Sequence, residues 1–143
     1  MDKRFWICAL VVAMAALLLG FLVHGVLLRD DYRALAALYR TQAEANANAG
    51  WILLAYALVG LSMTWLYRQL PAPEGAKAAQ GLRFGLATAL LSFVPWHLLA
   101  YAGQPLPLSL ALKQSAFDVV AMLLLGLLLS WLQPRRVALS EPE

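Results

Sequence analysis

Four long apolar runs, at residues 5–28, 49–67, 82–101 and 106–132, occupy most of this 143-residue chain. Each is long enough to cross a hydrocarbon core of ~30 Å, which takes roughly 20 helical residues. No water is present in that core to satisfy backbone N–H and C=O groups, so every span is expected to be an α-helix that bonds internally. The expected fold class is all-α: one integral membrane domain over residues 1–143, a bundle of four transmembrane helices with a short outer amphipathic helix. The chain is 62% hydrophobic and 13% charged, which leaves no room for a separate soluble domain. Any chemistry has to lie between helices or on short loops.

The charges predict a topology. With the N-terminus in the cytoplasm, Lys3, Arg4, Arg68, Lys77, Arg83, Arg135 and Arg136 fall on the inner side. Arg29, Arg33, Arg40 and Lys113 fall on the outer side, the first three offset by Asp30, Asp31 and Glu44. The positive-inside rule then puts both termini on the cytoplasmic face of the membrane. A net charge of +3 distributed this way suits anionic lipid head groups and offers no basic face for nucleic acid. Cys8 is the only cysteine, so no intrachain disulfide is possible, and a buried, inert thiol is expected there. The opening Met-Asp-Lys-Arg imitates a secretory signal, but the apolar run behind it exceeds the ~7–15 residues of a typical signal core, so an uncleaved first helix is expected.

Small residues mark the helix contacts. Ala9, Ala13, Ala16 and Gly20 form a row on the first helix, and Gly81, Gly85 and Ala89 form one on the third. Such rows let helix backbones approach closely, here within the bundle rather than between two copies. Residues 30–40 carry apolar positions at Tyr32, Leu35, Ala36, Leu38 and Tyr39, the spacing of an amphipathic helix on the outer surface, with Asp30 or Asp31 as its N-cap. Residues 41–50 read as a polar connector, and Trp51 and Trp65 as interface anchors at the two ends of the second helix. Pro71, Pro73 and Gly75 predict an irregular inner loop. Pro95 should kink the third helix and free a carbonyl near Leu91. No internal repeat supports a transporter of inverted halves.

Ionisable groups inside a span are costly and therefore lead to function. His24, His97, Lys113 and Asp118 qualify, with Gln114 sharing a helix face with Asp118. Counting along the helices puts His24, His97 and Lys113 in one layer beneath the outer surface and Asp118 deeper. Lys113 precedes Asp118 by five residues, ~140° around the helix, which argues against an ion pair between them. Asp118 is expected to find its partner on another helix: His97, Trp96, Ser62, Thr64 or the carbonyl freed by Pro95. As a neutral acid it would donate an interhelical hydrogen bond; with both histidines it would form a proton or cation relay. Two histidines at matching depth also suit the axial ligation of haem b, with Arg29 or Arg33 toward the propionates. No Cys/His spacing suits zinc. Phosphate loops, nucleophile elbows and HExxH motifs are absent, so no enzyme is expected.

The segments Gly20-Phe21-x-x-His24-Gly25, Gly81-Leu82-Arg83-Phe84-Gly85, Gln104-Pro105-Leu106-Pro107 and Lys113-Gln114-x-x-x-Asp118 resemble a family of small four-helix bacterial inner-membrane proteins. The resemblance implies a four-helix membrane protein and carries no activity, cofactor or ligand. Three functional readings follow. The favoured one is a non-catalytic accessory subunit, without metal or cofactor, packing against other membrane subunits or itself in the lipid bilayer. The second is a proton-coupled small-solute transporter using Asp118, His97 and His24, and the third a bis-histidine haem or quinone protein.

Overall fold

The computed structural model describes residues 2–71 and 76–133. Pro73, Gly75, Arg135 and Arg136, which entered the loop and topology expectations, lie outside the described residues. The described chain is all-helical, and four helices are long and apolar enough to cross a membrane. In chain order these are α1 (Lys3–Leu27), α4 (Ala49–Gln69), α5 (Lys77–Gly103) and α6 (Leu108–Leu132). Two short helices, α2 (Arg29–Ala34) and α3 (Gln42–Ala47), lie in the connector between α1 and α4.

Two tight pairs build the bundle, α1 with α4 and α5 with α6, and α1 joins them through α6. Glycine makes both crossings possible. A Cβ on Gly60 of α4 would lie 2.5 Å from the Ala9 carbonyl of α1. Gly81 and Gly85 of α5 rest on the backbone of Gly126 and Met122 of α6, with no space for a side chain. Ala16 and Ala89 are buried in the core that joins the pairs, together with Val12, Met63, Met122, Leu125 and Leu129. Gly20 clears the Tyr56 hydroxyl of α4. The small-residue rows thus face helices of the same chain, with Gly60 and Gly126 supplying the opposite sides.

Polar contacts tie the end that carries the N-terminus. Asp2 accepts from the Phe5 amide as N-cap of α1 and binds Arg68 Nη1 at 2.9 Å. Arg4 donates to the Leu132 carbonyl at 3.0 Å, satisfying one of the orphan acceptors at the end of α6. Cys8 is buried in the same region.

Local chemistry accounts for the departures from the expected boundaries. α5 begins at Lys77 rather than at residue 82, because its first turns supply the Gly81 face that packs on Gly126. The outer amphipathic segment is not one helix over 30–40. α2 stops at Leu35, and a single 3₁₀ turn at Ala36–Leu38 follows. Neither Asp30 nor Asp31 is a cap; both stand in the first turn of α2, where carboxylates favour the helix N-terminus, and Asp31 is drawn to Lys113. The expected connector holds α3, nucleated by a capping box in which Thr41 and Glu44 satisfy each other's backbone. Hydrogen bonds from Thr41 hold the Glu44 carboxyl below its ordinary range.

Candidate functional site

Two wide turns place two histidines. In α5 the regular ladder gives way to a π-helical turn at Ala89–Phe93, where the Val94 amide reaches back to the Ala89 carbonyl. Pro95 follows at the start of the resumed α-helix and has no N–H to offer. The sequence marks this break through Pro95; the structure resolves it by changing register. From residue 81 to residue 97 an uninterrupted α-helix at ~100° per residue would carry His97 about 160° away from the Gly81 face. One extra residue in the π turn takes back ~100° of that. His97 is therefore buried against α6, while its neighbour Trp96 is 66% exposed and no partner for Asp118.

The second π-helical turn, Phe21–Leu27, ends α1, and its last bond runs from the Leu28 amide to the Val23 carbonyl at 2.9 Å. No proline announces it. Val23 is buried and His24 half-buried beside it, while Phe21 points outward. π turns of this kind recur where a side chain must be aimed at a site.

Both rings are aimed at one carboxyl group. His97 Nε2 lies 2.6 Å from Asp118 Oδ2, and His24 Nε2 lies 3.8 Å from Asp118 Oδ1. Asp118 sits ten residues inside α6, ~15 Å from its start, and its side chain is only 8% exposed. α2 closes the array from above: the Gln114 amide donates to Tyr32 Oη at 2.9 Å, and Tyr32 Oη contacts His24 Nδ1 at 2.7 Å. Tyr32 also packs edge-on against Tyr39, with centroids 5.0 Å apart. Burial pushes the Tyr32 hydroxyl up to about 12, so it is neutral at ordinary pH and has a proton to give to one acceptor. Lys113 is half-exposed and binds Asp31 of α2 at 2.7 and 3.0 Å, which clamps α2 onto α6.

Of the sequence-derived candidates, the fold brings His24, His97, Gln114 and Asp118 into one array. Lys113 stands apart from it, in a surface pair. Ser62 is exposed, and Thr64 is fully buried with its hydroxyl unpartnered, so neither meets Asp118. The sequence pattern makes Tyr32 an apolar position of the outer amphipathic segment and Asp30 or Asp31 its N-cap. Their placement depends on the turn at Leu28 that folds α2 back over the bundle, and no local pattern encodes it. A haem between the histidines would need both Nε2 atoms free toward a common iron; here both face the Asp118 carboxyl. Among the described residues no set of three or more His, Cys, Asp or Glu has the arrangement of a metal site.

Tyr32 and the partly exposed His24 form the connector end of the array. On the other side, the described core is apolar from Ala16 and Ala89 through Met122, Leu125 and Leu129. Compared with protein-family models, with curated proteins and with solved structures, the chain matches none.

Proposed function

We propose that this chain is an inner-membrane protein with cytoplasmic termini whose working part is a proton-binding site made by His24, Asp118 and His97. It would serve as the proton-coupled element of small-solute transport. The observation that carries this reading is the convergence of two imidazoles on the two oxygens of one buried carboxyl within helices long enough to span a membrane. Two imidazoles and a carboxyl aligned on one another inside such a bundle are more than packing requires. The second imidazole adds a place for a proton to go. Because Tyr32 of α2 and the half-buried His24 stand at the connector end of the array, protons would load from the connector side, the outer face in the proposed topology.

The test is proton uptake by oriented proteoliposomes holding a pH-sensitive dye, after acidification of the connector side. Wild-type protein should take up protons and Asp118→Asn should lose most of that uptake while keeping its helical spectrum. Unchanged uptake in Asp118→Asn would remove the site from this role.

A second reading, the accessory subunit or homo-oligomer, draws on α4. Apart from Tyr56, every residue from Trp51 to Leu58 is exposed, with Trp51 at 70%. The reading predicts a native mass in mild detergent well above the protomer, and a strictly monomeric protein would contradict it.

A further inference from the structure

We infer that Tyr32, oriented by Gln114, is a positioning residue that makes Nδ1 of His24 the proton-accepting atom of the site. The inference rests on the proton-site reading above.

The hydrogen bonds admit a consistent direction. Gln114 Nε2 can only donate, so it donates to Tyr32 Oη at 2.9 Å. The tyrosine proton then needs an acceptor, and the other polar atom in reach is His24 Nδ1 at 2.7 Å. A neutral imidazole that accepts at Nδ1 carries its proton on Nε2. That N–H faces Asp118 Oδ1. From the other flank His97 Nε2 lies 2.6 Å from Asp118 Oδ2, and with its proton on Nε2 it donates to the carboxylate as well. The chain Gln114–Tyr32–His24–Asp118 therefore has a single polarity, with each group donating toward the carboxylate.

That polarity defines how a proton moves. The Tyr32 hydroxyl passes its proton to Nδ1 and takes one from a hydronium ion on the connector side, ending neutral and leaving water. His24 becomes an imidazolium with N–H on both nitrogens. Once the 3.8 Å between Nε2 and Asp118 Oδ1 closes to hydrogen-bond distance, the Nε2 proton passes to Oδ1, which leaves His24 neutral with N–H on Nδ1. In that state Tyr32 must accept from His24, and its own O–H must turn to another acceptor. Rotating the Gln114 amide by half a turn presents Oε1 in place of Nε2 and supplies one. The Gln114 amide thus has one orientation for the empty site and the opposite one after proton transfer.

The groups facing His24 are Tyr32 from α2, with Asp31 behind it paired to Lys113; Asp118 and Gln114 from α6; His97 from α5 by way of Asp118; and Tyr56 of α4 above Gly20. Only Tyr32 contacts Nδ1 among the described hydrogen bonds. Replacing Tyr32 with Phe removes that hydroxyl and keeps the ring.

The chain has only two histidines, so ¹⁵N solid-state NMR of histidine-labelled protein in lipid bilayers reads both side chains separately. A His97→Asn variant assigns the signals. At mildly alkaline pH the wild type should show neutral His24 as one species, unprotonated at Nδ1 and protonated at Nε2. Tyr32→Phe should lose that single species in favour of a mixture of both tautomers, with His97 unchanged. Gln114→Met should do the same more weakly. A wild-type His24 protonated at Nδ1, or an unmixed Nε2–H form in Tyr32→Phe, would overturn the inference. The readout concerns a resting tautomer, so a protein that shows the expected tautomer yet takes up no protons would refute the proposed function and leave the role of Tyr32 standing.

Discussion

Removing His97 should cost more than removing His97 and Asp118 together. The two side chains are 9% and 8% exposed and bond at 2.6 Å. Deleting one partner of a buried polar pair leaves the other without its bond, a loss of roughly 3–5 kcal/mol when nothing replaces it. Here His24 remains 3.8 Å from the second oxygen and moderates the loss. We therefore expect about 2–3 kcal/mol for His97→Leu, which at 1.36 kcal/mol per tenfold is roughly 30- to 150-fold in the folded-to-unfolded ratio. Changing both, His97→Leu with Asp118→Leu, exchanges the pair for apolar groups of similar bulk and should restore most of the loss. The assay is thermal or denaturant unfolding in lipid–detergent mixtures, followed by tryptophan fluorescence, for the two single variants and the double. A double variant less stable than either single one would refute the reasoning, because it would mean that the side chains act independently. A double variant that is stable but takes up no protons separates the chemistry of the site from its part in the fold.

Further outcomes follow from other parts of the molecule. Gly85→Ala puts a methyl group into the Met122 carbonyl across the α5–α6 crossing, so the helices must part by on the order of 1 Å; the expected loss is about 1–3 kcal/mol in the same unfolding assay. An alanine at Gly50, which has open space around it, should leave stability unchanged. At the N-terminus, the Arg68 guanidinium and the Phe5 amide hold Asp2 at about 2, below its ordinary 3.8. A depressed carboxyl stabilises above the unfolded value, so this latch should hold at neutral pH and release as pH falls from 3.8 toward about 2, seen as faster hydrogen exchange at the first turn of α1. Arg68→Gln should move that release up toward 3.8. Lys113→Met breaks an ion pair whose members are 50% and 28% exposed, and should cost no more than about 1 kcal/mol, read as a small loss of protection over α2.

The architecture was legible in the sequence because its physical cause is coarse. A helix that crosses hydrocarbon must be long and apolar along its whole length, and four such runs stand out without reference to their neighbours. The glycine faces of α5 could be read for the same reason, since Gly81 and Gly85 recur at helical spacing. What lay beyond reach was rotation and return. His97 faces α6 because the π turn at Ala89–Phe93 adds a residue to the ladder; Pro95 marks a break there but not the angle it leaves. The turn at Phe21–Leu27 has no proline and no marker at all. Tyr32 is the clearest case. Its neighbours have the pattern of a surface helix, and only the fold of α2 back across the bundle carries its hydroxyl to His24 and Gln114. Helical periodicity says which residues share a face, and a site built from three helices and a connector depends on which faces meet.

The proposed function requires Asp118 and its two histidines to form one proton-binding unit inside the bundle. Its most direct test is the infrared difference spectrum of the protein in lipid bilayers as pH is stepped from mildly alkaline to mildly acidic. The account predicts a carboxyl C=O band that changes with pH, is absent in Asp118→Asn, and shifts in both His97→Gln and His24→Gln because both rings act on the same group. A band indifferent to either histidine, or no change that depends on Asp118, would contradict it.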